Sequence, residues 1–272
     1  MVKDILYIMA RIEHKTYCEV FGGGGVILMN KAPIGVEVYN DIDGGLYDFF
    51  TVMSTPELFE QFRRIVSAIP RSRQIFNESK HVWHGESDLV KRVAMWFVVV
   101  RQSWGGVVGS KSGWSYSVGA ATGKTCISTS NWMSAISKLP GVHKRLLHVQ
   151  IERDDFRRLI PRYDSKETLF YCDPPYVWST RTKKGSGSKR SAYRYEMNNR
   201  DHAELIQLLL QAKGSFIVSG YANRIYSRLE EHGWERFDYS KVASTTRGRQ
   251  RRVESLWVKS NKVKATTLSR YL

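Results

Sequence analysis

Residues 168–178 read TLFYCDPPYVW, and the two adjacent prolines limit what this chain can fold into. Proline fixes φ at about −65° and has no N–H to give a neighbouring strand. An apolar run that meets Pro174 and Pro175 is therefore a buried strand that ends there. Asp173 precedes the prolines and Tyr176 follows them, so a carboxylate and an aromatic ring stand at the strand's end. In open α/β sheets that is where ligands bind.

The rest of the chain supplies such a sheet. Ile5, Leu6, Met9 and Ile12 recur at helical spacing over 3–13. YCEVF (17–21) reads as a strand, GGGG (22–25) as a turn, VILMN as a helix start and GVEVY (35–39) as a second strand. Residues 44–69 read as helix broken near Pro56. This βαβ opening implies an α/β fold with a parallel sheet. The pattern resumes with strands at 146–151, 168–173 and 215–221, and with VESLWVKS (253–260) closing the sheet. Helices are expected at 201–213, with Asp201 as N-cap and Glu204 completing a capping box, and at 223–233.

The middle has a different character. Residues 71–150 hold five of the eight tryptophans and eleven Lys/Arg against three Asp/Glu, with one clear helix at 88–103. This reads as an insertion, 71–145, between two catalytic parts, 1–70 and 146–272; its tryptophans are expected mainly in a core. Two basic runs follow. The stretch 178–200 has seven basic residues and one acid, and RGRQRR (247–252) has four arginines in six positions. Both adjoin C-terminal strand regions and so flank the expected site. With 42 Lys+Arg against 26 Asp+Glu, a net charge of +16, this distribution points to a polyanionic partner.

Composition excludes other classes. No apolar run approaches the roughly 18 residues of a membrane span, so no membrane association is expected. The N-terminal stretch lacks a signal-peptide cleavage site and reads as an amphipathic helix. Three scattered cysteines, Cys18, Cys126 and Cys172, form no disulfide framework and fit a reducing cytoplasm. His81 and His84 stand without two further ligands, so no metal is expected.

Two motifs carry chemistry. Glycines after a strand let the backbone approach a ligand closely at a helix start, and Asp41, about twenty residues on at the end of the next strand, is placed for ribose hydroxyls. The pair suggests a nucleoside-containing cofactor. Leu28 breaks the G-x-G-x-x-G fingerprint, which argues against a dinucleotide, and no G-x-x-x-x-G-K-[ST] is present. At 173–176, Asp173 and an outward Pro174 carbonyl are two acceptors, and Tyr176 is a flat face. That set suits a planar amino-heterocycle such as an extruded adenine.

The order glycine turn, insertion, Asp-Pro-Pro-Tyr, with HKTYCEVFGGGG, EVYNDID, DHAELIQLLL, FIVSGY and RRVESLWVKS, resembles the D12 class of adenine-specific DNA methyltransferases, Dam-like and phage-type. The resemblance runs from about 4 to 260 and is weakest over 71–145. It implies a Rossmann-like, seven-stranded, mostly parallel sheet, a target-recognition insertion, S-adenosylmethionine as methyl donor and DNA as substrate. Carried over, Phe21, Gly23, Gly25 and Asp41 line the cofactor together with Asp173; Asp173, Pro174, Pro175 and Tyr176 form the catalytic turn. Lys183, Lys184, Lys189, Arg190 and Arg194 are expected on DNA phosphates. Such enzymes are expected to act as cytoplasmic monomers.

Alternatives remain at this level. The amine could be cytosine N4, RNA or a protein amide, although aspartate before the prolines leans to adenine N6. Family members usually carry a glycine- and lysine-containing segment before the first helix, and this chain starts at Met1-Val2-Lys3. A truncated chain that binds DNA with weak or no catalysis is therefore the second expectation. The lack of a Pro-Cys dipeptide argues against C5-cytosine methylation. A dehydrogenase leaves Asp-Pro-Pro-Tyr unexplained.

Overall fold

The computed structural model describes residues 1–106, 113–117, 125–180, 195–245 and 248–262, with the backbone alone over 241–245 and 248–252. The chain divides into two compact units, one of 1–43 with 150–272 and one of 44–149.

The first unit is the α/β sheet. In chain order it comprises α1 (Val2–Arg11), β1 (Thr16–Glu19), α2 (Val26–Asn30) and β2 (Val36–Asn40). After the second unit come β3 (Gln150–Glu152), α9 (Phe156–Tyr163), β4 (Thr168–Cys172), α10 (Asn199–Gln211), β5 (Ser215–Gly220), α11 (Ser227–Glu231), β6 (Glu235–Thr245) and β7 (Gly248–Lys259). The strand order is β3-β2-β1-β4-β5-β7-β6. All neighbours are parallel except β7, which is antiparallel to β5 and to β6. This is the seven-stranded, mostly parallel sheet that the sequence implies.

Strands β4 and β5 are buried along their whole length, so they read as continuous apolar runs and not as alternation. Cys18, Val38, Phe170, Val218 and Trp257 from the sheet meet Leu159 of α9 and Leu205, Ile206 and Leu209 of α10 in one core. Each such Leu, Ile or Phe contributes about 1.5–3 kcal/mol by leaving water. The strand order reverses between β1 and β4, which makes their C-terminal ends the topological switch point of the sheet.

Several expectations need correction. The stretch 146–151 is not one strand: Leu146 closes a helix, on a buried face shared with Leu139, and β3 begins only at Gln150. The cap of α10 is Asn198, and Asp201 is the third-position partner that closes the box. Only Ser227–Glu231 is α-helical within 223–233, because the Asn223 side chain accepts from the Ile225 and Tyr226 N–H groups and holds a turn there. Strand β6 was not expected from the sequence. Among the described residues it pairs on one side only, and residues 235–240 are exposed or half-buried.

The second unit is helical among the described residues: α3 (Gly44–Ser54), α4 (Pro56–Ala68), α5 (Arg73–Val82), α6 (Leu89–Gln102), α7 (Ile127–Ser137) and α8 (Leu139–Leu146). Pro56 opens α4 where its missing N–H costs nothing. Ser72 and Asp88 cap α5 and α6 by accepting from Ile75 N and Lys91 N. Phe49 stacks on Phe97 at 5.9 Å, Phe62 meets Phe97 edge-on at 5.5 Å, and Trp132 lies 5.6 Å away. The Trp132 indole N–H donates to the Ile69 carbonyl at 3.1 Å. Trp83, Trp96 and Trp132 are core residues, while Trp104 is 60% exposed. Helices α3 and α4 pack on α6, so this unit starts at Gly44, earlier than the insertion boundary read from composition.

Candidate active site

Parallel pairing puts the two sequence motifs at one rim. Thr16–Glu19 of β1 aligns with Thr168–Tyr171 of β4, and Val20 N donates to the Tyr171 carbonyl at 3.0 Å. The glycine turn leaves β1 and Asp173 leaves β4 at the same level of adjacent strands.

The turn is built by specific contacts. Gly23 and Gly25 have φ of +50° and +64°, the left-handed region that glycine enters without strain. A Cβ on Gly22 would stand 2.2 Å from the Tyr39 ring, so only glycine lets the turn lie against β2. The Tyr39 hydroxyl donates to the Gly23 carbonyl at 2.7 Å. Asp41 Oδ2 accepts from Gly23 N and its Oδ1 from Asp43 N, each at 2.8 Å. Burial raises the Asp41 carboxyl above its ordinary range, and those two N–H groups oppose the rise. Asn40 ties the same corner to β3's end, donating to the Val20 and Asp154 carbonyls and accepting from Asp154 N at 2.7 Å. The Phe21 ring is partly buried, 5.8 Å from Phe156.

At β4's end, Asp173 is exposed, Pro174 buried, and Pro175 and Tyr176 half-buried. The Ser219 hydroxyl at the end of β5 donates to Asp173 Oδ1 at 2.6 Å. Tyr176 meets Tyr221 at 4.8 Å with ring planes 75° apart. Ser219 and Tyr221 lie inside the FIVSGY motif, but only the β4–β5 register, Cys172 opposite Val218, shows that they face the Asp-Pro-Pro-Tyr turn.

Glu19 was given no role by the sequence. It is 2% exposed, and its Oε2 accepts from the Tyr17 hydroxyl at 2.7 Å and from Leu28 N at 2.9 Å. The cap of α2 is Gly25, which has no side chain to offer, so Glu19 reaches across and takes the N–H of the third helical residue. Burial pushes its carboxyl up to about 7; the two donors oppose this, and the neighbouring Asp173 charge adds to it. Beside it Lys31 lies 4.8 Å over the Tyr17 ring and pairs with buried Glu37.

Lys183, Lys184, Lys189, Arg190 and Arg194 lie outside the described residues. In the helical unit, the Arg73 guanidinium sits 4.9 Å from the Trp114 ring and 5.4 Å from the Tyr116 ring, and Arg71 sits 5.0 Å from Trp114. The Arg71 guanidinium also donates to the Ser115 hydroxyl at 2.8 Å. Among the described residues no helix is long and apolar enough to cross a membrane.

A seven-stranded sheet of this order, with a glycine turn and an Asp-Pro-Pro-Tyr turn at its switch point, is that of a Rossmann-like methyltransferase. The chain belongs to the D12 class of N6 adenine-specific DNA methyltransferases, whose family model matches residues 1–239. It is an enzyme that moves a methyl group from S-adenosylmethionine to N6 of adenine in DNA. A solved structure described as a "putative RNA methyltransferase" from Pyrococcus horikoshii is similar over 94% of this chain and 81% of its own, with 10% identity and a TM-score of 0.37. No curated protein matches the chain.

The residues present fit the methyl donor. A Cβ on Gly23 would meet nothing within 4 Å, so the turn borders open space. The Asp41 carboxylate flanks that space from the next strand.

Proposed function

We propose that Phe21, Gly23, Gly25 and Asp41 form the cofactor cradle, and that Asp173, Pro174, Pro175 and Tyr176 hold a flipped adenine beside it. The observation that carries this is the Ser219–Asp173 hydrogen bond of 2.6 Å. It fixes an exposed carboxylate at the switch point through Oδ1.

Bound in the cradle, S-adenosylmethionine supplies a methyl group on a sulfonium, ready for displacement. The chain's own residues act on the amine. The adenine N6 lone pair is delocalised into the ring and is a poor nucleophile. Asp173 Oδ2 and the Pro174 carbonyl accept its two hydrogens, and they stabilise the positive charge that develops on nitrogen. Tyr176 stacks on the ring and is itself buttressed edge-on by Tyr221. Alignment of amine and methyl group supplies much of the remaining acceleration. As N6 bonds to the methyl carbon, the carbon–sulfur bond would break with its electron pair left on sulfur, giving a neutral thioether; the N6 proton held by Asp173 would then be lost, and the exposed carboxylate can pass it to solvent.

The helical unit is proposed to recognise the target sequence. Support comes from Arg71 and Arg73 on Trp114 and Tyr116, the last 52% exposed, a set suited to stacking and phosphate contact. Lys183, Lys184, Lys189, Arg190 and Arg194 are proposed to contact phosphates. The enzyme is proposed to act as a monomer in the cytoplasm, where free cysteines stay reduced.

Incubation with unmethylated DNA and isotopically labelled S-adenosylmethionine, followed by nucleoside digestion, tests the residue roles. Labelled N6-methyladenine is expected from the wild type, with a loss of about 100-fold or more in Asp173→Ala. Full activity in that variant removes the assignment.

A further inference from the structure

The β6–β7 hairpin is longer than the sheet needs. Pairing of β7 with β5 ends at Ser255 opposite Gly220. Pairing of β7 with β6 continues past that point, from Glu254 opposite Tyr239 to Gly248 opposite Thr245. Seven residues on each strand thus form a two-stranded ribbon with no third strand beside it among the described residues. At about 3.4 Å per residue the ribbon extends roughly 24 Å.

The ribbon leaves the sheet at the rim that carries the site. Gly220 is the C-terminal end of β5, which runs parallel to β4. Glu254, the first ribbon residue past the sheet, accepts from the Tyr221 hydroxyl at 3.4 Å, and the Tyr221 ring buttresses Tyr176. The base of the ribbon and the Asp-Pro-Pro-Tyr turn therefore share one side chain.

Beyond its base, where Glu254 stands, the ribbon carries charge of one sign. Residues 241–252 hold Lys241, Arg247, Arg249, Arg251 and Arg252, and no acid. Arg247 lies outside the described residues; the other four occupy ribbon positions, and Lys241 stands directly opposite Arg252. Like charges directly opposite destabilise an antiparallel pair, and a lone two-stranded ribbon is marginal in water. A polyanion laid along the ribbon relieves that repulsion and releases its own counterions.

We propose that residues 239–245 and 248–254 form an arm that grips DNA phosphates beside the adenine site, through Lys241, Arg249, Arg251 and Arg252. The proposal rests on the reading of the rim as the adenine site. The competing role for such charges is protection of an edge strand from aggregation, which requires no DNA.

Binding of a fluorescently labelled DNA duplex by the full chain, measured across a salt series, tests the arm. Each phosphate contact contributes about 0.9 to the slope of log affinity against log salt. Arg249→Gln/Arg251→Gln/Arg252→Gln is expected to lower the slope by about 2–3 and to retain S-adenosylmethionine binding. The corresponding triple Lys variant is expected to keep the wild-type slope. An unchanged slope in the Gln variant overturns the arm, as does equal loss in the Gln and Lys variants. DNA is also expected to shield the three arginines of the wild type from phenylglyoxal; equal modification with and without DNA overturns the arm even if the Gln variant does not fold. A wild type that binds no DNA at all counts instead against the adenine-site reading.

Discussion

Glu19 makes the stability of this fold depend on pH in a window where most carboxylates are silent. Its folded value of about 7 stands above the ordinary 4.5, chiefly because it is buried. The folded protein holds a proton there that the unfolded chain releases. The stabilisation is whole below about pH 4.5 and is lost as pH rises through about 7. The gap between 4.5 and about 7, at about 1.4 kcal/mol per pH unit, corresponds to about 3 kcal/mol. The informative perturbation is Glu19→Gln. An amide oxygen still accepts from the Tyr17 hydroxyl and Leu28 N, while the titration is gone. Urea unfolding of both proteins at intervals from pH 5 to pH 8 gives the difference in stability at each pH, in which all other titrating groups cancel. Between pH 5 and pH 8 the difference is expected to move by about 2.5 kcal/mol in favour of the variant as pH rises. A difference that stays constant across that range means that Glu19 is ionised throughout. Lys31 and the two donors would then outweigh burial, and the reasoning fails.

Two further outcomes follow from the geometry. Ser219→Ala removes the donor that orients Asp173, a bond to a charged group worth about 1.5–3 kcal/mol. A fall in kcat of about 10- to 100-fold is expected with little change in S-adenosylmethionine affinity; Ser219→Thr should restore most of it, and an unaffected kcat separates Ser219 from positioning. Gly22→Ala drives a methyl group into the Tyr39 ring and breaks the Tyr39–Gly23 hydrogen bond. Overpacking of this kind costs about 1–3 kcal/mol, read by thermal unfolding, and cofactor affinity measured by calorimetry is expected to fall with it.

The parts of the site that were legible in the sequence are those whose conformation is set locally. Pro174 and Pro175 stop a strand wherever they occur, and Gly23 and Gly25 permit a left-handed turn wherever one is needed. Asp41 could be placed because it ends the strand that follows the turn. Ser219, Tyr221 and Glu19 were not legible as site residues. Each acquires its role from a neighbour distant in sequence, or, for Glu19, from a helix whose cap residue has no side chain. The strand expected at 146–151 failed because Leu146 and Leu147 serve a helix end as readily as a strand start. Strand β6 escaped because it is a polar edge strand whose pairing partner, β7, supplies what its own composition does not.

The sequence by itself determined the α/β class, the rigid acceptor turn and the glycine turn, since backbone sterics act over a few residues. It also determined the family, through the order of those motifs along the chain. Only the tertiary structure brought Gly23 and Asp173, about 150 residues apart, to one rim. The parallel register of β1 with β4 did that, and register is fixed by burial of whole strands in a shared core. The same cooperative packing drew the helical unit's boundary at Gly44 and set the basic ribbon beside Tyr221.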